Sequence, residues 1–329
     1  MIKLGIIGAG RMGQLHAENL LKIEAAKVVA VCDPLPENAK KLASKLDCKT
    51  YANGVELLDD PSVDAVLICV PTPGHHQLVL QAMERKKHVF CEKPLARTLE
   101  QGREMIAAWK KSQVTFAVGF VRRYAWACRQ IKKMIDEKVI GIPQIGRVSL
   151  ILGVYRRQRG DWFADFDACG GVILDMMAHS LDLLHWYFGS ADRVSAEGWL
   201  LSPTLPDPAD YFSSTLLYSN RVIGRVEGGW LRVGEGIDRM DIHGDKGQIS
   251  FDWGNPDVLN LTLKDRPTET LKRPADAPDK PFLEEMKDFV ESAAKKRQPK
   301  VTIENGMQSL ETALAIIQSI QNEQTIRLR

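Results

Sequence analysis

Three groups of residues in this chain have types and spacings suited to chemistry. The first is Gly8-Ala9-Gly10-Arg11-Met12-Gly13. Between an apolar run and a helical pattern, such a turn suits a pyrophosphate. Gly8 permits the tight turn, Gly10 has no Cβ to keep the ligand from the backbone, and Gly13 lets a helix pack close. The helix start then offers unpaired N–H groups and a partial positive charge. Asp33 follows Gly13 by 20 residues, the spacing at which a carboxylate accepts hydrogen bonds from the ribose of a bound dinucleotide. The second group is Glu92-Lys93-Pro94, where an ammonium can donate to a substrate hydroxyl and lower its pKa. By position alone, a surface lysine beside a turn looks the same. The third is Asp175, His179 and Asp182, which share one face if the segment is helical. His179 is then a candidate base with an acidic neighbour on either side. The same pattern also fits a half-buried histidine satisfied by a neighbour, with Asp182 a core acceptor. Aspartate and histidine at this spacing can chelate, but no third ligand of obvious kind lies nearby, and no metal is expected. His185 falls on another face and reads as structural.

The elements that must position these residues follow from hydrophobic periodicity. Ile2 to Ile7 is a buried strand, Leu15, Leu20 and Leu21 recur at helical spacing, and Val28 to Cys32 is a second strand ending at Asp33. Further strands are expected at Val63 to Val70, ended by Pro71-Thr72-Pro73-Gly74, at Val89 to Cys91, and at Thr115 to Gly119. Helices lie between them, one opened by the capping-box spacing of Thr98 and Gln101. This alternation predicts a doubly wound parallel sheet, a Rossmann-type α/β domain over residues 1–121. Ligands bind such sheets beyond the carboxyl ends of the strands, which groups Gly8, Asp33, Pro71, Thr72, Lys93 and Arg122 on one rim. Arg11, Met12, His75 and Glu92 flank the same turns and join the expected cofactor set.

From residue 122 to 329 the pattern becomes that of an α+β domain for substrate binding and oligomerisation. A helix is expected at Arg129 to Ile135, a loop at Gly141 to Gly146, a strand at Arg147 to Tyr155 and a helix over Val172 to Phe188. Segments near 193–200, 212–218, 221–232, 239–243, 248–252 and 258–263 alternate as strands of a large, open-faced, mainly antiparallel sheet, with Asn220 and Asp245-Lys246-Gly247 at hairpin turns. Helices at Phe282 to Ala294 and Ile303 to Ile320 close the chain, the last expected to return to the first domain. The strands Phe212 to Leu217 and Val222 to Trp230 carry apolar residues over many positions. One face can cover the Val172 helix; the other is expected to be apolar and to need a partner, hence a homodimer or homotetramer.

The chain of 329 residues can bury cores for two domains, and 44% hydrophobic with 26% charged residues is ordinary for a globular protein. A net charge of +2 gives no reason to expect nucleic acid or membrane partners. No apolar run approaches a membrane span, and Met1 leads straight into a strand, so no secretory leader is expected. Cys32, Cys48, Cys69, Cys91, Cys128 and Cys169 are scattered without a C-x-x-C pair, as in reduced, cytoplasmic proteins.

Four stretches together carry a resemblance: the glycine turn; His88-Val89-Phe90-Cys91-Glu92-Lys93-Pro94-Leu95; Gly119-Phe120-Val121-Arg122-Arg123-Tyr124; and Gly170-Gly171-Val172-Ile173-Leu174-Asp175, continuing through His179, Asp182 and Trp186. Along essentially its whole length the chain resembles the glucose–fructose oxidoreductase/inositol dehydrogenase (Gfo/Idh/MocA) family. The resemblance implies an NAD(P)-dependent dehydrogenase that oxidises a secondary hydroxyl of a cyclic polyol or sugar. It implies that Lys93 and His179 form the catalytic pair and that Asp175 binds substrate. It also implies that the Lys–Pro bond is often cis and that the antiparallel sheet forms an oligomer interface. Arg123, Tyr155 and Trp162 are expected to join Asp175 and His179 around the substrate. Ala125 stands where inositol dehydrogenases often carry an acidic residue, and the loop Tyr155 to Phe163 looks more like that of broader sugar dehydrogenases. Arg156, Arg157 and Arg159 in that loop read as solvated, with an acidic sugar as the alternative. NAD is expected over NADP, because Asp33 repels a 2′-phosphate and Pro34-Leu35-Pro36 supplies no arginine. Two other activities suit the scaffold: an NAD-dependent glycosidase that oxidises, eliminates and reduces, and a non-catalytic NAD-binding sensor, against which the retention of Lys93, Asp175 and His179 argues.

Overall fold

Ile2–Ile7 (β1) is buried from Leu4 onward, and Ala65–Ile68 (β4) is buried at every position. Such continuous apolar runs belong to strands covered on both faces. With Ala26–Cys32 (β2), Lys49–Tyr51 (β3), His88–Cys91 (β5) and Phe116–Val118 (β6) they form a six-stranded, wholly parallel sheet in the order β3-β2-β1-β4-β5-β6. The order reverses between β1 and β4, so the glycine turn after β1 opens at the crevice where doubly wound sheets take ligands. In this computed structural model, residues 1–153, 162–201, 209–230, 236–277 and 279–328 are described.

The crossovers are Arg11–Leu20 (α1), Pro36–Leu46 (α2), Gly54–Asp59 (α3), His75–Glu84 (α4) and Leu99–Ser112 (α5). Thr98 and Gln101 close the capping box at α5, each side chain accepting from the other's main-chain N–H at 3.2 Å. The core under one face of the sheet joins Leu4, Ile6, Val31, Leu67 and Phe90 to Met286, Phe289 and Val290. Those three come from Pro281–Lys295, one of the two C-terminal helices. The chain divides into two compact units, Met1–Val121 with Lys280–Met307, and Arg122–Asp279 with Gln308–Arg329.

In the second unit, Trp126–Asp136 (α6), Phe166–Cys169 (α7) and Ala178–Phe188 (α8) accompany nine strands: Pro143–Leu152 (β7), Ala191–Trp199 (β8), Tyr211–Tyr218 (β9), Ile223–Trp230 (β10), Ile237–Gly244 (β11), Gly247–Asp252 (β12), Val258–Leu263 (β13), Glu269–Lys272 (β14) and Ile326–Arg327 (β15). Their order is β14-β13-β12-β11-β7-β10-β9-β8-β15, and only β7 and β10 run parallel. Asn220 serves the β9–β10 turn by accepting from Val222 N–H at 3.2 Å. The last two helices are Pro281–Lys295 (α9) and Ile303–Asn322 (α10).

Four expectations are corrected. The helix that covers the first sheet is α9; α10 belongs to the first unit only as far as Met307. Beyond it, Ser309 donates to Ala178 O at 3.0 Å and Ser319 accepts from Ala196 N–H at 2.9 Å, both within the second unit. The stretch Pro143 to Gly146 is strand rather than loop, because β7 pairs there with β10 and β11. The helix expected over Val172 to Phe188 begins with a π turn, Val172–Met176, in which Met177 N–H reaches back five residues to Val172 O at 3.2 Å. Finally, the second face of the large sheet is mixed rather than apolar, with Ile145, Leu217, Ile223 and Ile237 on it beside charged and polar side chains. Strand alternation puts Val148, Phe212, Leu216, Val226 and Met240 inside, and leaves Arg147, Ser213, Arg225 and Arg239 exposed on the other face with Ser149, Glu227 and Asp241. The apolar positions in Phe212 to Leu217 and Val222 to Trp230 serve mostly the inner face.

The second unit also buries a charge pair. Arg123, 8% exposed, forks onto Asp182, 1% exposed, from Nε and Nη2 at 2.7 Å each. Burial pushes the Asp182 carboxyl up to about 6, against the pull of that guanidinium. Removing one partner of a buried pair costs about 3–5 kcal/mol, because the other charge stays in the core. Asp182→Asn is therefore expected to lower unfolding free energy by about that amount in urea denaturation, whereas a loss below about 1 kcal/mol would show that the pair is dispensable.

Candidate active site

The first unit contributes a phosphate-sized turn. Gly8 has φ +98°, and a Cβ there would meet Cys69 O at 2.5 Å. A Cβ on Gly13 would lie 2.0 Å from Gly8 O, so only glycine lets α1 start against the turn. At Gly10 a Cβ would meet nothing within 4 Å: the space before it is open. No side chain caps the first N–H groups of α1. The Asp33 carboxylate is aimed by two main-chain donors, Ala9 N–H at 2.8 Å and Leu35 N–H at 2.9 Å. Open space beyond Gly10, a bare helix start and a fixed carboxylate at the end of β2 fit the pyrophosphate and ribose of a dinucleotide. Arg11 is exposed and Met12 half-buried beside them.

Along the same rim, Pro71 and Thr72 begin the short 3-10 turn Thr72–Gly74, with Thr72 buried. His75, expected among the cofactor residues, is fully buried instead. Its Nδ1 faces Pro94 O and its Nε2 faces Val70 O, each at 2.9 Å. Burial lowers its pKa, opposed by those carbonyls, and its observed role is to tie the Val70 turn to the Pro94 turn. The Lys93–Pro94 peptide is cis, as the resemblance implies. Lys93 is half-buried, and Glu92 is buried at the end of β5.

The second unit holds the other candidates. Asp175 lies in the π turn and His179 in the first turn of α8; both are half-buried. Asp182, expected beside them, lies in the core on Arg123. Arg123 is thereby committed to the interior rather than presented to a substrate. Arg122, expected on the cofactor rim, forks onto Asp238 at 2.5 and 3.2 Å and stands over the Trp253 ring at 4.4 Å. Trp162 is half-buried and packs on Phe163, ring centroids 3.9 Å apart. Tyr155, Arg156, Arg157 and Arg159 lie outside the described residues. His185 bonds Gly189 O and Thr312 Oγ1, and burial pushes its pKa down to about 4, a structural histidine.

Sequence reading missed the buried partners of Glu92. His16 Nε2 lies 2.7 Å from Glu92 Oε1, and the Lys93 N–H donates to Glu92 Oε2 at 3.1 Å. Burial alone would raise the Glu92 pKa, yet the His16 contact, the Lys93 charge and its N–H hold it below the ordinary value. Glu285 of α9 stands near, 2% exposed, with no hydrogen bond to either carboxyl oxygen among the described residues. The only sequence signal was a glutamate on the inward face of an amphipathic helix.

Comparison with known proteins agrees with this geometry. Residues 2–120 match the oxidoreductase family with an NAD-binding Rossmann fold, and residues 128–250 match the GFO/IDH/MocA C-terminal domain. The chain is 30% identical to myo-inositol 2-dehydrogenase of Thermotoga maritima over 99% of this chain and 98% of that protein. It is 27% identical to scyllo-inositol 2-dehydrogenase (NAD(+)) of Bacillus subtilis, over 99% and 96%. Among solved structures, a probable dehydrogenase from Thermotoga maritima superposes with a TM-score of 0.85 at 29% identity, covering 99% of this chain and 98% of that one. Levoglucosan dehydrogenase with NADH and levoglucosan shares the fold, with a TM-score of 0.91, 22% identity and 99% coverage of each chain. The chain is an NAD-binding oxidoreductase, a dehydrogenase of the class acting on CH–OH donors. The chain belongs to the Gfo/Idh/MocA family.

Glu285 yields a stability prediction. Burial, then the nearby Glu92 and Asp288 carboxylates, raise its pKa well above the ordinary value. A carboxyl whose folded pKa is raised binds its proton more tightly in the native state. It therefore favours folding fully below its unfolded pKa and loses that contribution as pH rises toward the folded value. Glu285→Gln keeps the neutral form at every pH, so its melting temperature relative to the parent is expected to climb steadily from pH 5 to 9. A gap that stays flat or shrinks would mean that Glu285 is ionised in the fold.

Proposed function

We propose that the chain oxidises a secondary hydroxyl of a cyclic polyol or sugar to the ketone, in the manner of an inositol 2-dehydrogenase, with NAD as the preferred acceptor. The observation that carries this reading is full-length similarity to two inositol 2-dehydrogenases, joined to a carboxylate fixed at the ribose position. Asp33 sets the cofactor preference: its charge opposes a 2′-phosphate, and Pro34-Leu35-Pro36 offers no cation. Gly8, Gly10, Arg11, Met12 and Gly13 would hold the pyrophosphate, with Pro71 and Thr72 farther along the rim; Glu92, expected with them, is buried behind it on His16 and the Lys93 N–H. When bound, the nicotinamide supplies the hydride acceptor.

Lys93 and His179 form the catalytic pair in this reading. Charge builds on the substrate oxygen as hydride leaves, and His179 takes the proton. The Lys93 ammonium stabilises the alkoxide and favours neutral imidazole, the form able to accept. Asp175, one turn before His179, holds a substrate hydroxyl or the imidazole. Trp162 and Tyr155 border the substrate. The family resemblance supports a homodimer or homotetramer through the large sheet, now with a charge-bearing face of arginines and carboxylates rather than an apolar one. Six free thiols suit a reducing, cytoplasmic setting, and among the described residues no helix is long and apolar enough to cross a membrane.

A polyol and sugar panel followed by NADH absorbance tests the activity; hydrolysis without net NADH would mark a glycosidase instead. His179→Ala and Lys93→Ala are each expected to cut turnover about a hundredfold or more. NADH affinity in His179→Ala, read by fluorescence titration, should change little. Near-normal turnover would move the base elsewhere. NADP efficiency equal to that of NAD would refute the cofactor preference, and Asp33→Ser should narrow the gap. A light-scattering mass equal to one 36.8 kDa chain at micromolar concentration would refute the oligomer.

A further inference from the structure

Behind the glycine turn, the first unit carries a buried polar cluster that the proposed chemistry does not use. His16 is fully buried on α1, two turns into the helix that starts at the cofactor turn. Its Nε2 meets Glu92, whose other oxygen accepts the main-chain N–H of Lys93. Among the described residues, His16 Nδ1 has no hydrogen-bond partner, and neither has the Glu285 carboxyl. The ring stands edge-on to Phe90 at 5.0 Å and to Phe282 at 6.0 Å, so its position is fixed by packing. A Cβ on Gly119 would lie 3.0 Å from Glu92 Oε2, which closes the remaining side of the carboxylate. The titratable groups that face Glu92 are His16, Cys69, His75, Cys91, Lys93 and Glu285.

A core built only for stability would fill this space with apolar side chains, because a buried carboxylate is costly unless donors surround it. Here the carboxylate has two donors, one on the cofactor helix and one on the backbone of the lysine turn. The imidazole reaches the carboxylate through Nε2 and is held there by packing, so the contact is directional and fixed. The Glu92 carboxylate is thereby held where the Lys93 charge acts on it. Burial and the neighbouring Glu92 and Asp288 carboxylates raise the Glu285 pKa well above the ordinary value.

We propose that His16 and Glu92 are positioning residues for the dehydrogenation: the pair fixes the backbone at Lys93 and holds the Glu92 carboxylate beside its ammonium. The inference rests on the reading of Lys93 as catalytic. Without the His16 donor, only the Lys93 charge and N–H oppose the burial of Glu92. Loss of a hydrogen bond to a charged group shifts its ionisation by about ten- to a hundredfold, one to two pH units.

The test follows the Glu92 carboxyl by carbon-13 NMR, with Glu92→Gln used for assignment, alongside turnover as a function of pH. In His16→Leu the Glu92 titration is expected to move up by about one to two pH units, and turnover should gain an acid limb at the same pH. His16→Gln, whose amide can donate to Glu92, should restore both. An unmoved titration in His16→Leu overturns the proposal, and so does a moved titration with an unchanged turnover profile. Should His16→Leu fail to fold, Glu92→Gln carries the test: turnover about tenfold down at all pH values supports the role, and parental turnover overturns it. Near-normal turnover in Lys93→Ala would instead overturn the catalytic reading of Lys93, while the carboxyl titration would still report the His16–Glu92 pair.

Discussion

The first unit depends on one close approach, that of the α1 backbone to the turn after β1. With 2.0 Å between a Gly13 Cβ and the Gly8 carbonyl oxygen, any side chain at Gly13 would push the helix away. Because the helix starts there, its first N–H groups face the space before Gly10, and His16 arrives at the end of β5. The same turn gives Asp33 its main-chain donor at Ala9. A shift of the helix by the width of a methyl group would disturb the anion site and the Glu92–Lys93 turn together, since interiors transmit such changes rather than absorb them.

Both units bury ionised or ionisable side chains, and each solves the problem differently. In the second unit, Asp182 meets a guanidinium with two parallel hydrogen bonds. In the first, Glu92 meets a ring nitrogen and a backbone amide, and burial raises the pKa of Glu285 well above the ordinary value. The first solution fixes geometry through a planar fork. The second leaves a carboxylate whose charge depends on its neighbours, which is the kind of group found near reaction centres more often than in plain cores.

Much of this was legible in the sequence because it is local. The strand, glycine turn, helix and terminal aspartate announce themselves by spacing, and Thr98 with Gln101 announces the start of α5. The hairpins at Asn220 and at Asp245-Lys246-Gly247 carry their turn residues in full view. What escaped was non-local. His16 and Glu92 are 76 positions apart, and Arg123 and Asp182 are 59 apart; no periodicity links such pairs. Arg123 read as a ligand for substrate because an arginine beside a motif looks the same whether its partner is a solute or a buried aspartate. The π turn at Val172–Met176 was invisible because one added residue per turn leaves the apolar pattern nearly intact. The mixed second face of the large sheet was misread for a different reason: counting apolar residues in a strand does not say which of its two sides they occupy.

The hold of Asp33 on Ala9 and Leu35 has a consequence for how this protein can diversify. The carboxylate assigned to discriminate between cofactors is also a clasp between the loop after β1 and the loop after β2. Selectivity and scaffold are thus written in the same atoms. A lineage or an engineer seeking the phosphorylated cofactor must supply a new cation and, separately, a new acceptor for two orphaned amides.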